Sequence, residues 1–318
     1  MMYVGMMGFY RAQTINKFSG KVTRDTGFFP NTILNAGKNI MSERADWMDY
    51  CQVGTDGTIY ADLADRQNET GLRSYHAGTS TIVAGMTTYG ASGTGTVEDP
   101  YYGWKRKTFW FIAGTVATTL AEVGVGWWTS GSYLISRAQI LSPLEQTYTP
   151  VTPLEDELLD ITYELRYYIP AGDILGPQVT LNGIVYNTLT RAARVTDAYW
   201  GQHIGERMGQ FSEVNADWLA FDGAIGTLLT DPNGISAECN NSDAYNTAYS
   251  NNSYHIRMNI LCGGAGWVLD NGIRCIRIST TAGYYQTQFT AVGTADSIPK
   301  TTEHQMYMQW ALHWAEKA

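Results

Sequence analysis

Val179-Thr180-Leu181-Asn182-Gly183-Ile184-Val185-Tyr186 is the stretch on which the reading of this chain turns. β-Branched and aromatic residues flank Asn182-Gly183, and a two-residue type I′ turn needs a positive φ at both of its central positions, which Asn and Gly adopt at least cost. The segment therefore predicts a tight antiparallel hairpin. The same punctuation recurs along the chain. Glycine is abundant (33) and proline sparse (9), and clusters of Gly, Asn, Asp and Thr separate short runs of β-branched and aromatic residues. This is the pattern of an all-β chain.

Further strands follow from alternation. Ile161, Tyr163, Leu165 and Tyr167 share one face, and Thr162, Glu164, Arg166 and Tyr168 the other, which predicts one buried and one polar side. Comparable runs are Thr108 to Ile112, Tyr133 to Ile140, Tyr254 to Leu261 and Gly272 to Ser279. At the C-terminal end, Met306, Met308, Trp310, Leu312 and Trp314 alternate with Gln305, Tyr307, Gln309, Ala311 and His313. Met306, Trp310 and Trp314 also fit a helical i, i+4 spacing, but five matches at period two outweigh three, so a strand is expected. Short helices are expected within Ile33 to Trp47 and Ala198 to Arg207, and loops over Ala77 to Asp99 and about Asp197 to Asn252. The fold class is all-β: an antiparallel β-sandwich or jelly-roll-like core with long loop excursions and few short helices. Its expected parts are an N-terminal arm (1–20), a first part of the core (21–196), a loop-rich excursion (197–252) and a last part of the core (253–318).

Only 16% of the 318 residues are charged, against about 25% in ordinary soluble proteins, while 21 Tyr and 10 Trp are present. Such a surface suits contact with other proteins. A net charge of −9 with scattered basic residues argues against a grip on nucleic acid, which needs clustered Lys and Arg. The nearest approach, Lys105-Arg106-Lys107, reads as a solvated strand entry. Cys51, Cys239, Cys262 and Cys275 have no CxxC spacing and read as reduced thiols. Met1 to Tyr10 is apolar but lacks the charge and cleavage pattern of a signal peptide. Thr108 to Trp128 is broken by Thr, Gly and Glu122, which fits two short buried strands and no membrane span.

The templates of catalysis find no match. Gly90-Ala91-Ser92-Gly93 is a loop and no nucleophile elbow, and Gly124-Val125-Gly126-Trp127 lacks the third glycine of a dinucleotide fingerprint. His76, His203, His255, His304 and His313 form no HxH or HExxH pair, so neither metal nor cofactor is expected. Glu155, Asp156, Glu157 and Asp160 read as a solvated turn; a Ca²⁺ loop would centre on glycine, and glycosidic acids must face each other across a sugar. Leu269-Asp270-Asn271-Gly272 is likewise a turn.

Several segments in order resemble a family of virion structural proteins from tailed bacteriophages. They are Phe29-Pro30-Asn31 with Ile33-Leu34-Asn35-Ala36-Gly37, Cys51-Gln52-Val53-Gly54-Thr55, and Glu122 to Trp127 followed by Leu134-Ile135-Ser136-Arg137-Ala138. Leu159 to Arg166, Gly272-Ile273-Arg274, Tyr285-Gln286-Thr287-Gln288-Phe289 and Ile298-Pro299-Lys300-Thr301 complete the set. The resemblance implies a non-enzymatic particle component of the neck, collar or tail, assembled in the host cytoplasm. Its partners would be copies of itself in a ring, of six or twelve, and other virion proteins, with no nucleic acid and no membrane. The alternative is a receptor-binding adhesin whose exposed Tyr and Trp stack on host glycan. An apolar arm is costly to leave in water, so the candidate assembly contacts are Met2, Tyr3, Met6, Phe9 and Tyr10, with Trp200, Trp218 and Phe221 of the excursion.

Overall fold

Strands take 54% of the chain and helix 5%, and the described residues form three antiparallel sheets of nine, five and seven strands. The computed structural model describes all residues except 1, 44–46, 59–61, 80–87, 93–101, 142–146, 171, 196–217, 239–244, 247–251, 263–268, 281, 294–296, 301–305 and 318. Two compact units divide the chain: an N-terminal unit of Met6–Tyr89, Trp104–Arg166 and Glu316–Ala318, and a C-terminal unit of Met1–Gly5, Gly90–Gly103 and Tyr167–Ala315. The break at Tyr167 falls inside the stretch 21–196 that the sequence reading held as one part, because strand pairing follows contacts that sequence order does not record.

In the N-terminal unit the backbone of the first sheet is β1 (Met2–Asn16), which starts in the other unit and runs on into this one. Its burial alternates along its length, with Met6, Tyr10, Ala12 and Thr14 turned inward. The expected arm over 1–20 is therefore corrected: Met2–Asn16 is an integral strand, since burying every second side chain removes from water the apolar surface an arm would expose. β2 (Val22–Asp25) and β3 (Phe29–Pro30) pair with it, and β11 (Glu157–Tyr168) and β8 (Tyr102–Phe111) continue the order β1-β11-β8. The second sheet runs β4 (Thr32–Ile33), β10 (Leu134–Gln139), β9 (Glu122–Gly126), β5 (Tyr50–Gly54), β6 (Tyr75–Thr79). Tyr10 joins the two sheets. Its hydroxyl lies 2.6 Å from Ser136 Oγ on β10, and its ring centroid 4.8 Å from that of Tyr163 on β11.

Two short helices flank this sandwich. α1 (Asn35–Ile40) sits within the expected Ile33 to Trp47 window and lies against β10, where a Cβ on Gly37 would come within 2.3 Å of the Ile135 carbonyl oxygen. Only glycine allows that approach. α2 (Leu63–Gln67) is capped by the Asp62 carboxylate, which accepts from Ala64 N at 2.7 Å. The window Thr108 to Trp128 is, as expected, two strands, the end of β8 and β9. Of the loop expected over Ala77 to Asp99, Ala77–Thr79 close β6 and Thr88–Ser92 form β7; the rest lies outside the described residues.

β11 departs from its expected two-faced character. Thr162 and Glu164 are buried along with Ile161, Tyr163 and Leu165. Thr162 Oγ1 lies 2.7 Å from Thr108 Oγ1, and Glu164 is neutralised by two arginines, so the polar face is paired within the fold and not solvated.

The C-terminal unit holds the seven-stranded sheet. β13 (Val179–Leu181) and β14 (Ile184–Ala192) form the predicted hairpin, with Leu181 opposite Ile184 and positive φ at Asn182 (51°) and Gly183 (78°). β12 (Ile174–Leu175) also pairs β14, and the sheet continues through β20 (Gly283–Ala291), β19 (Cys275–Thr280), β15 (Trp218–Phe221) and β16 (Ser236–Glu238). One face meets a second layer, β17 (Tyr245–Asn246), β18 (His255–Cys262) and β21 (Met306–Glu316), where the rings of Tyr285 and Trp310 approach to 5.4 Å. The C-terminal segment is thus the expected strand, with Trp310, Leu312 and Trp314 inward.

The opposite face is strapped by residues 222–235. Gly226 N donates to Gln286 Oε1 at 2.8 Å, Gln286 Nε2 donates to the Thr227 carbonyl at 2.7 Å, and Asp231 accepts from both Arg194 and Arg277. Within the expected excursion 197–252, the described residues supply β15, β16 and β17, so this part of the excursion belongs to the sheets. The helix expected over Ala198 to Arg207 lies outside the described residues.

Candidate functional site

The residues first singled out for assembly are mostly core. Met2, Met6 and Tyr10 are wholly buried, and Trp218 and Phe221 nearly so, because each occupies an inward position of β1 or β15. They are corrected to packing residues, since a contact with another molecule needs accessible surface. Tyr3, on the outward register of β1, is 53% exposed, and Phe9 is half-buried beneath the Arg166 guanidinium. Trp200 lies outside the described residues.

An aromatic surface does exist, elsewhere. The connection between β9 and β10, Trp127-Trp128-Thr129-Ser130-Gly131-Ser132-Tyr133, carries Trp128 and Tyr133 at 55% and 53% exposure. Tyr75, at the start of β6, is 44% exposed and packs at Gly131, where a Cβ would lie 2.7 Å from the Tyr75 Cβ. The loop is held from below. Gln52 on β5 is fully buried, and its amide nitrogen donates to the carbonyls of Trp128 and Ser132. Leu72 N donates to the Gly131 carbonyl at 2.9 Å, and the rings of Trp127 and Tyr133 meet at 5.7 Å. Tyr133 itself has φ +62°, a left-handed conformation that a bulky side chain adopts only where its surroundings impose it.

A charged lock secures the next segment. Arg137 on β10 and Glu122 on β9 are both buried and meet at 2.7 Å; Arg137 also pairs with Glu69, and its Nη2 donates to the Thr58 carbonyl at 3.0 Å. Glu122 further accepts from Ser74 N (2.8 Å) and Arg73 N (3.2 Å). With the charges paired and the lone pairs filled, the burial is tolerated; the lock ties Thr58, Glu69, Arg73 and Ser74 to the sheet.

The basic triplet is also folded in, correcting its reading as a solvated entry. It lies inside β8, where Arg106 pairs with Glu164 and stacks over Trp104 and Phe28, and Lys107 reaches Asp49 at 2.7 Å. Burial, and then the neighbouring Lys107, pushes Lys105 down to about 8. Of the acidic cluster, Glu155 and Asp156 do occupy a turn, but Glu157 is buried on β11 and accepts from Leu154 N at 2.9 Å and from Thr23 Oγ1 at 2.5 Å. It closes the turn and is not part of a solvated one. Cys51 and Cys275 are free, buried thiols; burial raises both, Cys275 to about 12.

In the C-terminal unit a cavity of about 190 Å³ opens between the β13–β14 hairpin and β21, lined by Pro177, Val179, Thr190, Phe289, Tyr307 and Trp310 among others. Trp310 Nε1 is a buried donor with no hydrogen-bond partner among the described residues. On the far side of the same strand, His313 stands directly opposite His255 on β18, their rings stacked at 4.7 Å, with the Tyr3 ring 5.0 Å from His313. Burial and the adjacent His255 lower His313 to about 4. The sequence showed these histidines only as distant from each other; the pairing of β18 with β21 brings them together. Among the described residues, no three His, Cys, Asp or Glu side chains form a group able to hold a metal ion.

No protein-family model, curated protein or solved structure matches this chain.

The exposed aromatic loop was half legible. Gly124-Val125-Gly126-Trp127 shows in sequence only as a segment unsuited to a dinucleotide, and nothing in the spacing shows that Gln52 and Tyr75 converge on the loop that follows it. A tryptophan pair followed by uncharged turn residues was the available signal.

Proposed function

We propose that this chain is a structural component of a tailed-phage particle, building a ring in the neck, collar or tail by self-association and by contact with other virion proteins. The observation that carries the reading is the β1–β2 hairpin. Phe18 at its tip is 80% exposed, and every residue of Val22–Asp25 is exposed along a strand that, among the described residues, pairs only with β1. An open strand edge beside an exposed aromatic ring invites a further strand from a neighbouring molecule. Repeated from copy to copy, such a contact joins one patch to a different patch and closes into a ring when the rotation permits. The resemblance to phage structural proteins and the weakly charged, Tyr- and Trp-rich composition support the same reading.

The test is the mass and symmetry of the purified chain by multi-angle light scattering and electron microscopy, with Phe18→Asp as comparison. Cyclic multimers are expected, six- or twelve-fold, and their loss in Phe18→Asp with unchanged circular dichroism. A stable monomer at high micromolar concentration that never enters particles would overturn the proposal.

A further inference from the structure

We infer that the Trp127–Tyr133 loop together with Tyr75 is a binding plate for neutral saccharide units, a property separate from ring assembly. Three observations meet there. The rings of Trp128, Tyr133 and Tyr75 are all exposed, and all belong to one loop and the strand end packed on it. The loop is preorganised: its backbone is clamped by the buried Gln52 amide, and Tyr133 is held in the left-handed region. Residues 127–133 contain no charged side chain, while Thr129, Ser130 and Ser132 carry hydroxyls on the same loop, with Ser130 Oγ 3.4 Å from Ser132 Oγ.

Aromatic faces with adjacent hydroxyls match the chemistry of a pyranose, which offers a patch of C–H bonds to stack and a rim of hydroxyls to hydrogen-bond. The lack of charge favours a neutral hexose or N-acetylhexosamine over an acidic sugar. Size also discriminates. A stable protein interface draws on roughly 20–30 residues a side, and three rings on one loop and the strand end packed on it fall well short of that but suffice for one or two sugar rings. Strain held at Tyr133 and a buried glutamine committed to the loop are the cost of keeping rings in water, where they would otherwise turn inward.

The experiment is saturation-transfer-difference NMR and tryptophan fluorescence titration of the full chain with maltohexaose, cellohexaose and N-acetylchitohexaose, and polysialic acid as the acidic comparator. Saturable transfer to the pyranose C–H protons is expected from at least one neutral oligomer. Trp128→Ala should weaken it ten-fold or more with the circular dichroism unchanged, Trp128→Phe should retain most of it, and Phe18→Asp should leave it intact. The inference is overturned by no saturable transfer from any of the three, by undiminished binding in Trp128→Ala, or by preference for polysialic acid. It is equally overturned if Trp128→Ala disrupts assembly while no saccharide binds, which would make the loop a protein contact.

Discussion

His313 shows how a single side chain acquires its character from its neighbours. It lies on a strand whose sequence marks it only as polar, yet cross-strand pairing sets it against His255, and burial with that neighbour holds it at about 4, below its ordinary 6.5. The folded chain therefore binds the neutral ring in preference to the cation. Because the folded value is depressed, the unfolded chain takes up the proton first: the contribution to stability is whole above about 6.5 and is lost as the pH falls towards 4. Thermal unfolding followed between pH 7 and pH 4 should show a falling midpoint, and His313→Asn should flatten that slope; an unchanged slope in the variant would place the acid sensitivity elsewhere. The same logic of partners governs Glu122 and Arg137, whose buried charges are paired with each other and share further bonds with Arg73 N, Ser74 N, Glu69 and the Thr58 carbonyl. Neither arrangement could be read from composition, which reports residue types and not their company.

Elements with a strong local signal were legible. Asn182-Gly183 turns as its chemistry demands, and β21 follows the period of two over its competing helical spacing because its alternate residues are packed under the C-terminal sheet. The turn can be tested directly. A Cβ on Gly183 would meet nothing within 4 Å, so Gly183→Val should cost only the backbone penalty of a left-handed conformation, roughly 1–2 kcal/mol. Urea denaturation with an unchanged slope and a lower midpoint is the expected outcome; a neutral effect would mean the hairpin does not depend on that φ. Elements whose signal was hydrophobicity alone were read less well. The apolar residues of Met2–Asn16 fit an arm as well as a strand, and only its pairing partners make it a strand.

For the whole molecule, low charge is the property with the widest consequence. With 16% charged residues, and many of the described ones paired inside the fold, little of any contact with neighbours can rest on ionic attraction. If the proposed ring forms through strand edges and aromatic rings, it should thus persist in about 1 M salt, where the screening length falls to about 3 Å. Light scattering across a salt series would check this, and dissociation at high salt would point to charged contacts instead.

By itself the sequence determined the all-β class, the hairpin at Asn182-Gly183 and the C-terminal strand, because turn chemistry and a period of two act between residues close along the chain. Only tertiary packing settles which aromatic rings are core and which face water, that His255 meets His313, and that Gln52 and Tyr75 converge on one loop. These depend on strand order and register, which bring together residues far apart in the chain and leave no local trace in the pattern.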